Sequence, residues 1–332
     1  YAAHARHREA VSRLKSLIAN DQFSDSKQVP VAREMLGREL LAQNEFDEAI
    51  SAWKEFLEEH PTDPNWPVVQ EQIVAAEYAK ALNARNREQY DDARSLWQTF
   101  LNKYPLDSRA PSILLQFGNM KSHAADQAHQ GRVRLASRRG ESPQTVAYSE
   151  DEKTLYREAI DDWRRVVAKY PDTNAASEAA FRIGLTLEDR LGELKQALES
   201  YREVQGSFAG KAKPRILRLT TPQLTVSTER KFRSDETPRI KLTARNLETV
   251  QVKVYRVDMV DYFRKMHLAS GIETLDIALI DPDEQFQHEI KDYEQYKQFD
   301  VDLELPAWGP GVTAVTVASE KQESTTMVVV SD

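Results

Sequence analysis

The chain contains three closely similar stretches of sixteen residues, of which the first is FDEAISAWKEFLEEHP at 46–61. The second is YDDARSLWQTFLNKYP at 90–105, and the third is YREAIDDWRRVVAKYP at 156–171. In each stretch an aromatic residue, Ala, Trp, an apolar residue and Pro follow one another at the same spacings. Steps of three and four residues place the first four on one face of a helix, and Pro ends that helix. The sequence therefore predicts three equivalent helices.

Each copy is preceded by a second helical pattern that carries a small residue. A small residue lets a neighbouring helix approach closely, and Trp fills the groove beside it. These small residues, one for each copy and one for a weaker fourth copy, are Gly37, Ala81, Gly118 and Gly184. The fourth copy is LKQALESYREV at 194–204, and a partial copy, HREAVSRLKSL, lies at 7–17. We expect pairs of helices that bury their apolar faces against the next pair.

This pattern resembles the tetratricopeptide repeat, which pairs Leu-Gly on a first helix with Ala, an aromatic residue and Pro on a second. In the first copy Gly37 and Ala49 are at the spacing of that repeat, but later copies lie further apart. We attribute the longer spacing of the later copies to two insertions, TDPNWPVVQEQ at 62–72 and a larger one at 131–150. The resemblance implies an α-solenoid of four tetratricopeptide-like repeats plus a leading helix over residues 1–212.

Beyond Pro214 the period of the apolar residues changes from helical to alternating. QVKVYRV at 251–257 and FDVDLEL at 299–305 have apolar residues at every second position, which predicts half-buried strands. About seven such strands in residues 213–332 predict an antiparallel β-sandwich. The fold class predicted for the whole chain is therefore multidomain α + β.

Two segments of this second part, 228–264 and 306–332, resemble an early domain of bacterial alpha-2-macroglobulins. In that domain an extended strand pair precedes an Arg-Asn turn and a strand ending in Tyr-Arg-Val-Asp. A short helix follows, here expected at 259–271, and a closing hairpin ends in Ser-Asp. The resemblance implies a macroglobulin-type domain of a larger parent, a protease inhibitor or defence protein of the bacterial periplasm, cell envelope or exterior. The family's thioester needs a Cys, which this chain lacks, so we expect no protease trapping by this chain alone.

Composition narrows the functional classes. With 332 residues, 40% hydrophobic and 30% charged, the chain has an ordinary globular composition, and no run reaches the roughly 18 apolar residues of a membrane span. The formal net charge of −8 argues against nucleic acid as a partner. The absence of Cys excludes disulfides and thiolate chemistry. The chain begins with Tyr1 and has no signal peptide, which we interpret as a processed chain or a fragment.

Catalytic motifs are missing from the sequence. It contains no HExxH, no Gly-rich phosphate loop and no GxSxG elbow. His123 and His129 are six residues apart and do not share a helix face, which argues against a metal site. We therefore predict no enzymatic activity and no cofactor.

The resemblance to tetratricopeptide arrays implies a candidate binding groove. In those arrays the residues three before and one after the small residue point to the concave face. The positions here are Glu34, Arg38, Tyr78, Leu82, Leu115, Asn119, Phe181 and Leu185. A groove of mixed apolar and charged character suits a peptide, a protein, or downstream macroglobulin domains of the same parent. The alternative is a solvated or self-packed face.

The larger insertion supplies a second candidate, an exposed loop that carries Arg132, Arg134, Arg138 and Arg139. Such a loop could dock an acidic surface or be accessible to proteases. The simpler interpretation is a mobile, solvated insert.

Charge is also unevenly distributed in the second part. Residues 215–265 hold 12 basic and 6 acidic residues, whereas residues 273–304 hold 2 basic and 11 acidic ones. These segments could steer partners, but pairing with each other is the simpler explanation.

The sequence leaves two functional hypotheses. In the first, the chain is a non-catalytic scaffold region of a bacterial alpha-2-macroglobulin-like protein. In the second, it is a free-standing tetratricopeptide adaptor that binds a peptide or protein in its concave groove.

Overall fold

The structure is a computed structural model that describes residues 2–23, 26–258 and 281–332. Its helices are α1 (Ala2–Ile18), α2 (Gln28–Ala42), α3 (Phe46–Glu59), α4 (Trp66–Asn86), α5 (Tyr90–Lys103), α6 (Ala110–Arg138), α7 (Glu150–Lys169), α8 (Asn174–Thr186), α9 (Leu194–Glu203) and α10 (Ala209–Thr220). Its strands are β1 (Gln223–Ser227), β2 (Phe232–Arg233), β3 (Arg239–Arg245), β4 (Thr249–Val257), β5 (Glu284–Glu289), β6 (Gln298–Glu304), β7 (Gly311–Ala318) and β8 (Glu323–Ser331). The chain divides into two compact units, residues 1–166 and 167–332. Tetratricopeptide-like helical repeats are thus followed by a C-terminal β-sheet region.

In the first unit, α2 and α3, α4 and α5, and α6 and α7 form three pairs of a first and a second helix. The second helices carry Trp53, Trp97 and Trp163, whose exposed fractions are 0%, 0% and 1%. The prediction that these three tryptophans form the core of the repeats is confirmed.

In the first and third pairs, a Gly on the first helix lets the indole of the second helix approach the backbone. A Cβ atom at Gly37 would overlap Trp53 Nε1, and one at Gly118 would overlap Trp163 Nε1. The close approach allows a hydrogen bond: Trp53 Nε1 donates to the carbonyl oxygen of Glu34 at 3.1 Å. In the third pair, Trp163 Nε1 lies 3.3 Å from the corresponding carbonyl oxygen of Leu115 and also donates to a side chain.

The second pair has Ala81 in place of Gly, and its indole has a different environment. Trp97 Nε1 is buried and has no hydrogen-bond partner among the described residues. Its ring packs against Tyr78 at 6.2 Å and Phe117 at 6.5 Å between ring centroids. We attribute the missing hydrogen bond to the Ala81 methyl group, which occupies the space that Gly37 and Gly118 leave open.

The two predicted insertions are largely extensions of helices, which corrects the sequence interpretation. Helix α2 has 15 residues, whereas α4 has 21 and α6 has 29. The first insertion provides the first two turns of α4, and residues 131–138 of the second are the last two turns of α6. Pro67 and Pro111 lie at the starts of these helices, where Pro is tolerated because its missing N–H has no helical partner.

Helix α7 begins with a capping box formed by Ser149 and Glu152. The Ser149 N–H donates to Glu152 Oε2 at 2.9 Å, and the Glu152 N–H donates to Ser149 Oγ at 3.2 Å. The Glu152 carboxylate also accepts from Arg132 Nη1 at 3.0 Å and contacts His129 Nδ1 at 3.1 Å, so it ties α7 to α6. Burial alone would raise the pKa of Glu152, but these hydrogen bonds outweigh it and lower the pKa below its ordinary value.

The second unit begins with the fourth helix pair, α8 and α9. A Cβ at Gly184 would overlap the Tyr201 ring, so Tyr201 takes the place of Trp. The Tyr201 hydroxyl donates to Glu188 Oε2 at 2.7 Å, and Glu188 also pairs with Arg215 and Arg218 of α10. Burial and the neighbouring carboxylate raise the pKa of Tyr201.

Helix α10 extends beyond the point at which the sequence pattern changes. The pattern predicted the end of the helical part near Pro214, but Pro214 lies inside α10, which continues to Thr220. The chain tolerates this Pro because the carbonyl of Gly210, which loses its partner, belongs to an exposed residue. Ala212 and Leu219 are buried and anchor the helix on both sides of it.

The strands form two sheets, with orders β1-β3-β6 and β2-β8-β7-β4-β5. Apolar residues of both sheets form one core cluster, which includes Leu242 of β3, Val252 of β4 and Val315 of β7. The prediction of alternating strands is confirmed, but the prediction of a purely antiparallel arrangement is wrong. Strand β2 pairs in parallel with β8, the last strand of the chain, through Phe232 and Arg233. The helix predicted at 259–271 lies outside the described residues.

The basic and acidic segments of this region lie beside each other. Strand β3 pairs with β6 in a register that places Arg239 opposite Glu304 and Lys241 opposite Asp302. Cross-strand pairs of opposite charge are favourable. Two basic residues of β3 thus lie across from two acidic residues of β6, while the ion pair of Lys241 is with Glu229 at 3.7 Å. The pairing of the two segments as a whole stays a prediction.

Asn246 joins helix α10 to the strands. Its φ is 54°, a left-handed conformation that Asn adopts more readily than most residues. Its side chain donates to the carbonyl of Leu219 at 2.7 Å and accepts from the N–H of Tyr296 at 2.7 Å. The neighbouring Arg245 donates to the carbonyl of Arg218 at 2.7 Å. The Arg-Asn turn thus holds the end of α10.

Candidate protein-interaction surface

The first helices of neighbouring pairs are joined by a polar contact between α2 and α4. Gln72 Nε2 of α4 donates to Glu34 Oε1 of α2 at 3.0 Å. The same carboxylate pairs with Arg38 at 2.5 Å. Glu34 is buried and Arg38 is exposed. Of these two predicted groove residues, Glu34 therefore serves contacts within the repeat array, and Arg38 faces solvent.

The predicted groove residues of the second pair are part of its aromatic core. Tyr78 packs on Trp97 and lies 6.0 Å from Phe100 between ring centroids. The guanidinium of Arg109 lies 5.3 Å from the Tyr78 ring, in the range of a cation–π contact. Leu82 packs against the same cluster. Both predicted residues are half-buried.

In the third pair the predicted residues support the tryptophan. Leu115 is buried, and its carbonyl faces the indole of Trp163. Asn119 Oδ1 accepts from Trp163 Nε1 at 3.1 Å. Asn119 is half-buried, so part of its surface remains accessible.

The two predicted residues of the fourth pair lie in the second unit. Phe181 contacts the rings of Tyr201 and Phe208, with centroid distances of 5.9 Å and 5.7 Å. Leu185 is half-buried. Within the first unit, then, the structure brings Glu34 and Arg38 together and uses Tyr78, Leu82, Leu115 and Asn119 mainly for packing.

Exposed apolar side chains mark a different surface near the amino ends of the first helices. Val31 and Met35 of α2 are 45% and 44% exposed, and Val68 of α4 is 47% exposed. Leu106, in the turn before α6, is 96% exposed. We call Val31, Met35, Val68 and Leu106 the apolar edge. Val31 and Val68 lie near the starts of α2 and α4, Met35 lies in the middle of α2, and Leu106 precedes the first residue of α6 by four positions.

The sequence carried a signal for the apolar edge that the groove prediction did not use. Leu36 and Leu40 form the buried stripe of α2, and Val31 and Met35 are apolar residues off that stripe, four positions apart. Helix positions four apart are neighbours on the surface. Two apolar neighbours on the outer face of an amphipathic helix indicate a contact surface, because solvated faces are normally polar.

The four arginines predicted to lie in an exposed loop lie mainly on a helix. Arg132, Arg134 and Arg138 belong to α6, and Arg139 is the residue that follows it. Arg and Ala favour helix, and the pairing of Arg132 with Glu152 holds this part of α6 against α7. The loop interpretation is wrong for these residues. Arg134, Arg138 and Arg139 are exposed, as predicted.

The described residues contain no group of three His, Asp or Glu side chains that could hold a metal ion. His123 lies near Glu88 and His129 near Glu152, so the two histidines belong to separate contacts. In the part of the chain that the structure describes, no helix is long and apolar enough to cross a bilayer.

Comparison with protein families gives one match. The sequence model of the YfiO family, described as an outer membrane lipoprotein, matches residues 36–206, slightly more than half of the chain. The match covers the helix pairs from the first to the fourth. No curated protein sequence matches the chain.

Several solved structures are similar at low identity. A MamA fragment from Desulfovibrio magneticus RS-1 is 15% identical, covers 61% of this chain and 93% of its own, and has a TM-score of 0.28. A Podosopora anserina putative kinesin light chain with nearly identical TPR-like repeats is 13% identical, covers 64% of this chain and 95% of its own, and has a TM-score of 0.30. These scores are too low to support a statement about the fold or function of this chain.

Proposed function

This chain belongs to the YfiO family of outer membrane lipoproteins, and on that premise we propose that its helical repeats form a non-catalytic scaffold that binds another protein through the apolar edge. The observation that carries the proposal is the exposure of Val31 and Met35 on α2, together with Val68 near the start of α4 and Leu106 in the turn before α6. No catalytic family matches the chain.

The geometry suits a partner that contacts several repeats at once. Val31 and Met35 are four residues apart on α2 and are neighbours on its surface, so one bound segment can contact both. Each single exposed apolar residue is ordinary, but neighbouring ones are typical of an interaction site. The partner expected is a protein segment that carries apolar side chains along one side.

Polar groups beside the apolar edge would supply specificity. Arg38 is exposed next to Met35 on α2, and the Glu34–Gln72 contact lies between α2 and α4. Arg38 can donate hydrogen bonds to a carboxylate or a main-chain carbonyl of the partner. We therefore expect the bound segment to place an acidic or carbonyl group near Arg38.

A peptide selection tests this proposal. Peptides would be selected from a random library on the full chain, and their affinity measured by fluorescence polarisation. Met35→Glu with Val68→Glu should weaken the selected peptides by at least about tenfold, since apolar contacts at an interface are lost and charge is introduced. The matched control is Leu217→Glu, which changes an exposed Leu of α10. Peptides that bind both variants equally would contradict the proposal.

We further propose, as a finer assignment, that the strand region is a macroglobulin-type domain of a bacterial alpha-2-macroglobulin-like parent. Support comes from the Arg245–Asn246 turn and from the β7–β8 hairpin, which occupy the places that the resemblance implies. No comparison supports this assignment, and a free-standing adaptor fits the family match equally well. Sequencing the gene beyond the codon for Asp332 tests it: further strand-rich domains with a thioester motif would support it, and a stop codon would contradict it.

We also propose that the chain is located in the cell envelope. An outer membrane lipoprotein family is consistent with a place in the cell envelope. Fractionation of the native cells, followed by immunoblotting for this chain, should recover it with envelope proteins. Recovery with cytoplasmic proteins would overturn the placement.

A further inference from the structure

The carboxyl end of α6 carries arginines that the fold does not use. Arg134, Arg138 and Arg139 are exposed, and none of them forms an ion pair within the described residues. Arg132, one turn earlier, differs from them because it pairs with the buried carboxylate of Glu152. The last turns of α6 therefore begin with one arginine that pairs with Glu152, and they end with three exposed arginines that have no ion pair within the described residues.

These arginines form a compact patch with an exposed leucine. Arg134 and Arg138 are four residues apart, and so are Leu135 and Arg139, which places the four side chains on two adjacent rows of the helix surface. Leu135 is 52% exposed, whereas Ala136 is 7% exposed and faces the protein. We call Arg134, Leu135, Arg138 and Arg139 the basic end.

The demands of the helix explain only part of this pattern. Cations in the last turn are favoured by the helix dipole, which accounts for Arg138 and Arg139. Like charges four residues apart on a helix repel each other. The neighbouring side chains of Arg134 and Arg138 therefore destabilise the helix. The nearest acid in the sequence is Glu141, which forms no ion pair among the described residues. An exposed Leu between three unpaired arginines also has no structural explanation.

We propose that the basic end docks on an anionic phospholipid surface. Guanidinium groups bind phosphates with two parallel hydrogen bonds, and the exposed Leu135 enters the boundary between headgroups and acyl chains. The anionic surface supplies the countercharge that the protein does not. The inference takes from the proposed function only the outer membrane lipoprotein family, which places the chain beside a membrane, and it does not involve the apolar edge.

Co-sedimentation with vesicles tests the proposal. The full chain, without any lipid anchor, would be mixed with vesicles of phosphatidylcholine alone or of phosphatidylcholine with phosphatidylglycerol. We expect binding to the anionic vesicles only, and a loss of binding at high salt. Each arginine near an anionic surface contributes about fivefold to the partition coefficient, so Arg134→Glu/Arg138→Glu/Arg139→Glu should lower it by on the order of 100-fold.

A matched triple variant, Lys54→Glu/Arg202→Glu/Lys321→Glu, makes the same change in net charge at exposed basic residues elsewhere. It should retain most of the binding, and Leu135→Ser should lower binding by less than about tenfold. Circular dichroism would check that each variant is folded. Equal loss in both triple variants, equal binding to neutral vesicles, or no binding by the wild-type chain would overturn the proposal. Unchanged vesicle binding by the triple Arg variant would place the lipid contact elsewhere on the chain and would also overturn the proposal. The peptide selection at the apolar edge is unaffected by any of these outcomes.

Discussion

The first and second helix pairs have the same spacing of core residues, but their tryptophans have different environments, which we attribute to the methyl group of Ala81. Gly37 lets Trp53 reach the carbonyl of Glu34, whereas Ala81 leaves the indole N–H of Trp97 without a partner among the described residues. Both tryptophans are fully buried. We infer that the size of the small residue determines whether the indole N–H of the core tryptophan forms a hydrogen bond to the first helix.

The second pair is stabilised in another way. Trp97 packs on Tyr78 and Phe117, and Phe100 contacts Tyr78 as well. A buried unsatisfied N–H costs about 1–3 kcal/mol, and each aromatic pair contributes roughly 0.5–1.5 kcal/mol beyond its buried area. The aromatic contacts are therefore large enough to offset the missing hydrogen bond. The first and second pairs therefore differ in how the core tryptophan is stabilised.

The largest effect is expected from adding a methyl group in the third pair. Gly118→Ala would force its Cβ against Trp163 and displace the indole from its acceptors. We expect a loss of about 3 kcal/mol in the free energy of unfolding, measured by urea denaturation. Gly131→Ala is the control on the same helix, because no atom lies within 4 Å of its added Cβ. It should stabilise the protein by up to about 1 kcal/mol. Equal effects of the two substitutions would contradict the account.

Replacing Trp by Phe compares the two hydrogen-bonding states directly. Trp53→Phe removes ring volume and a hydrogen bond, whereas Trp97→Phe removes ring volume and an unsatisfied N–H. We expect Trp53→Phe to be more destabilising by about 2 kcal/mol in urea unfolding. Similar losses for the two variants would show that the hydrogen bond contributes little.

The third pair has a second anchor that the second pair lacks. Glu152 caps α7 through Ser149, whereas Gln89 at the start of α5 forms no side-chain cap. Glu152→Gln should therefore lower stability by about 1–2 kcal/mol at neutral pH. The folded-state pKa of Glu152 is depressed, so its contribution is present above the unfolded pKa of about 4.3 and is lost as pH falls through the folded value.

Urea unfolding measured from neutral pH to below pH ~4 tests whether the stability contributed by Glu152 is lost on acidification. The Glu152→Gln variant should lose less stability than the wild type on acidification. Glu141→Gln, at an exposed acid without an ion pair among the described residues, should follow the wild-type curve. Parallel curves for the wild type and Glu152→Gln would argue against the depressed pKa.

The smallest effect concerns the second pair itself. Ala81→Gly should cost about 1 kcal/mol or less, because lower helix propensity is partly compensated by access of Trp97 to the first helix. In a double-mutant cycle, Trp97→Phe should be more destabilising in the Ala81→Gly background than alone. Additive effects would mean that Ala81 does not block the hydrogen bond.

The repeat core could be predicted from the sequence because it depends on residues at short, fixed spacings along the chain. Gly37 and Trp53 occupy fixed positions in a helical period, and the structure places them in contact. The alternating strands were predictable for the same reason. The parallel pairing of β2 with β8 was not, since it joins residues about a hundred positions apart and only two residues of β2 take part. The helical part was predicted to end near Pro214, whereas α10 continues to Thr220, because a Pro at this exposed position does not end the helix.

The candidate sites were less predictable, because side-chain contacts between repeats decide which residues stay accessible. Glu34 was predicted to face a ligand, but it bonds to Gln72 of the next first helix. The arginines at 132–139 were predicted to form a loop, but they extend α6. Val31 and Met35 are apolar residues four positions apart off the buried stripe of α2, a signal that the groove prediction did not use, and their exposure marks them as a surface.

The central claim is that Gly on the first helix allows the core tryptophan to hydrogen-bond to that helix, and that Ala prevents it. The indole N–H resonances of Trp53, Trp97 and Trp163 in a proton–nitrogen correlation spectrum test it most directly, with each signal assigned by its Trp→Phe variant. The account predicts that Trp53 and Trp163 resonate downfield, as hydrogen-bonded protons do, and that Trp97 resonates upfield of both. A Trp97 signal as far downfield as the other two would contradict it.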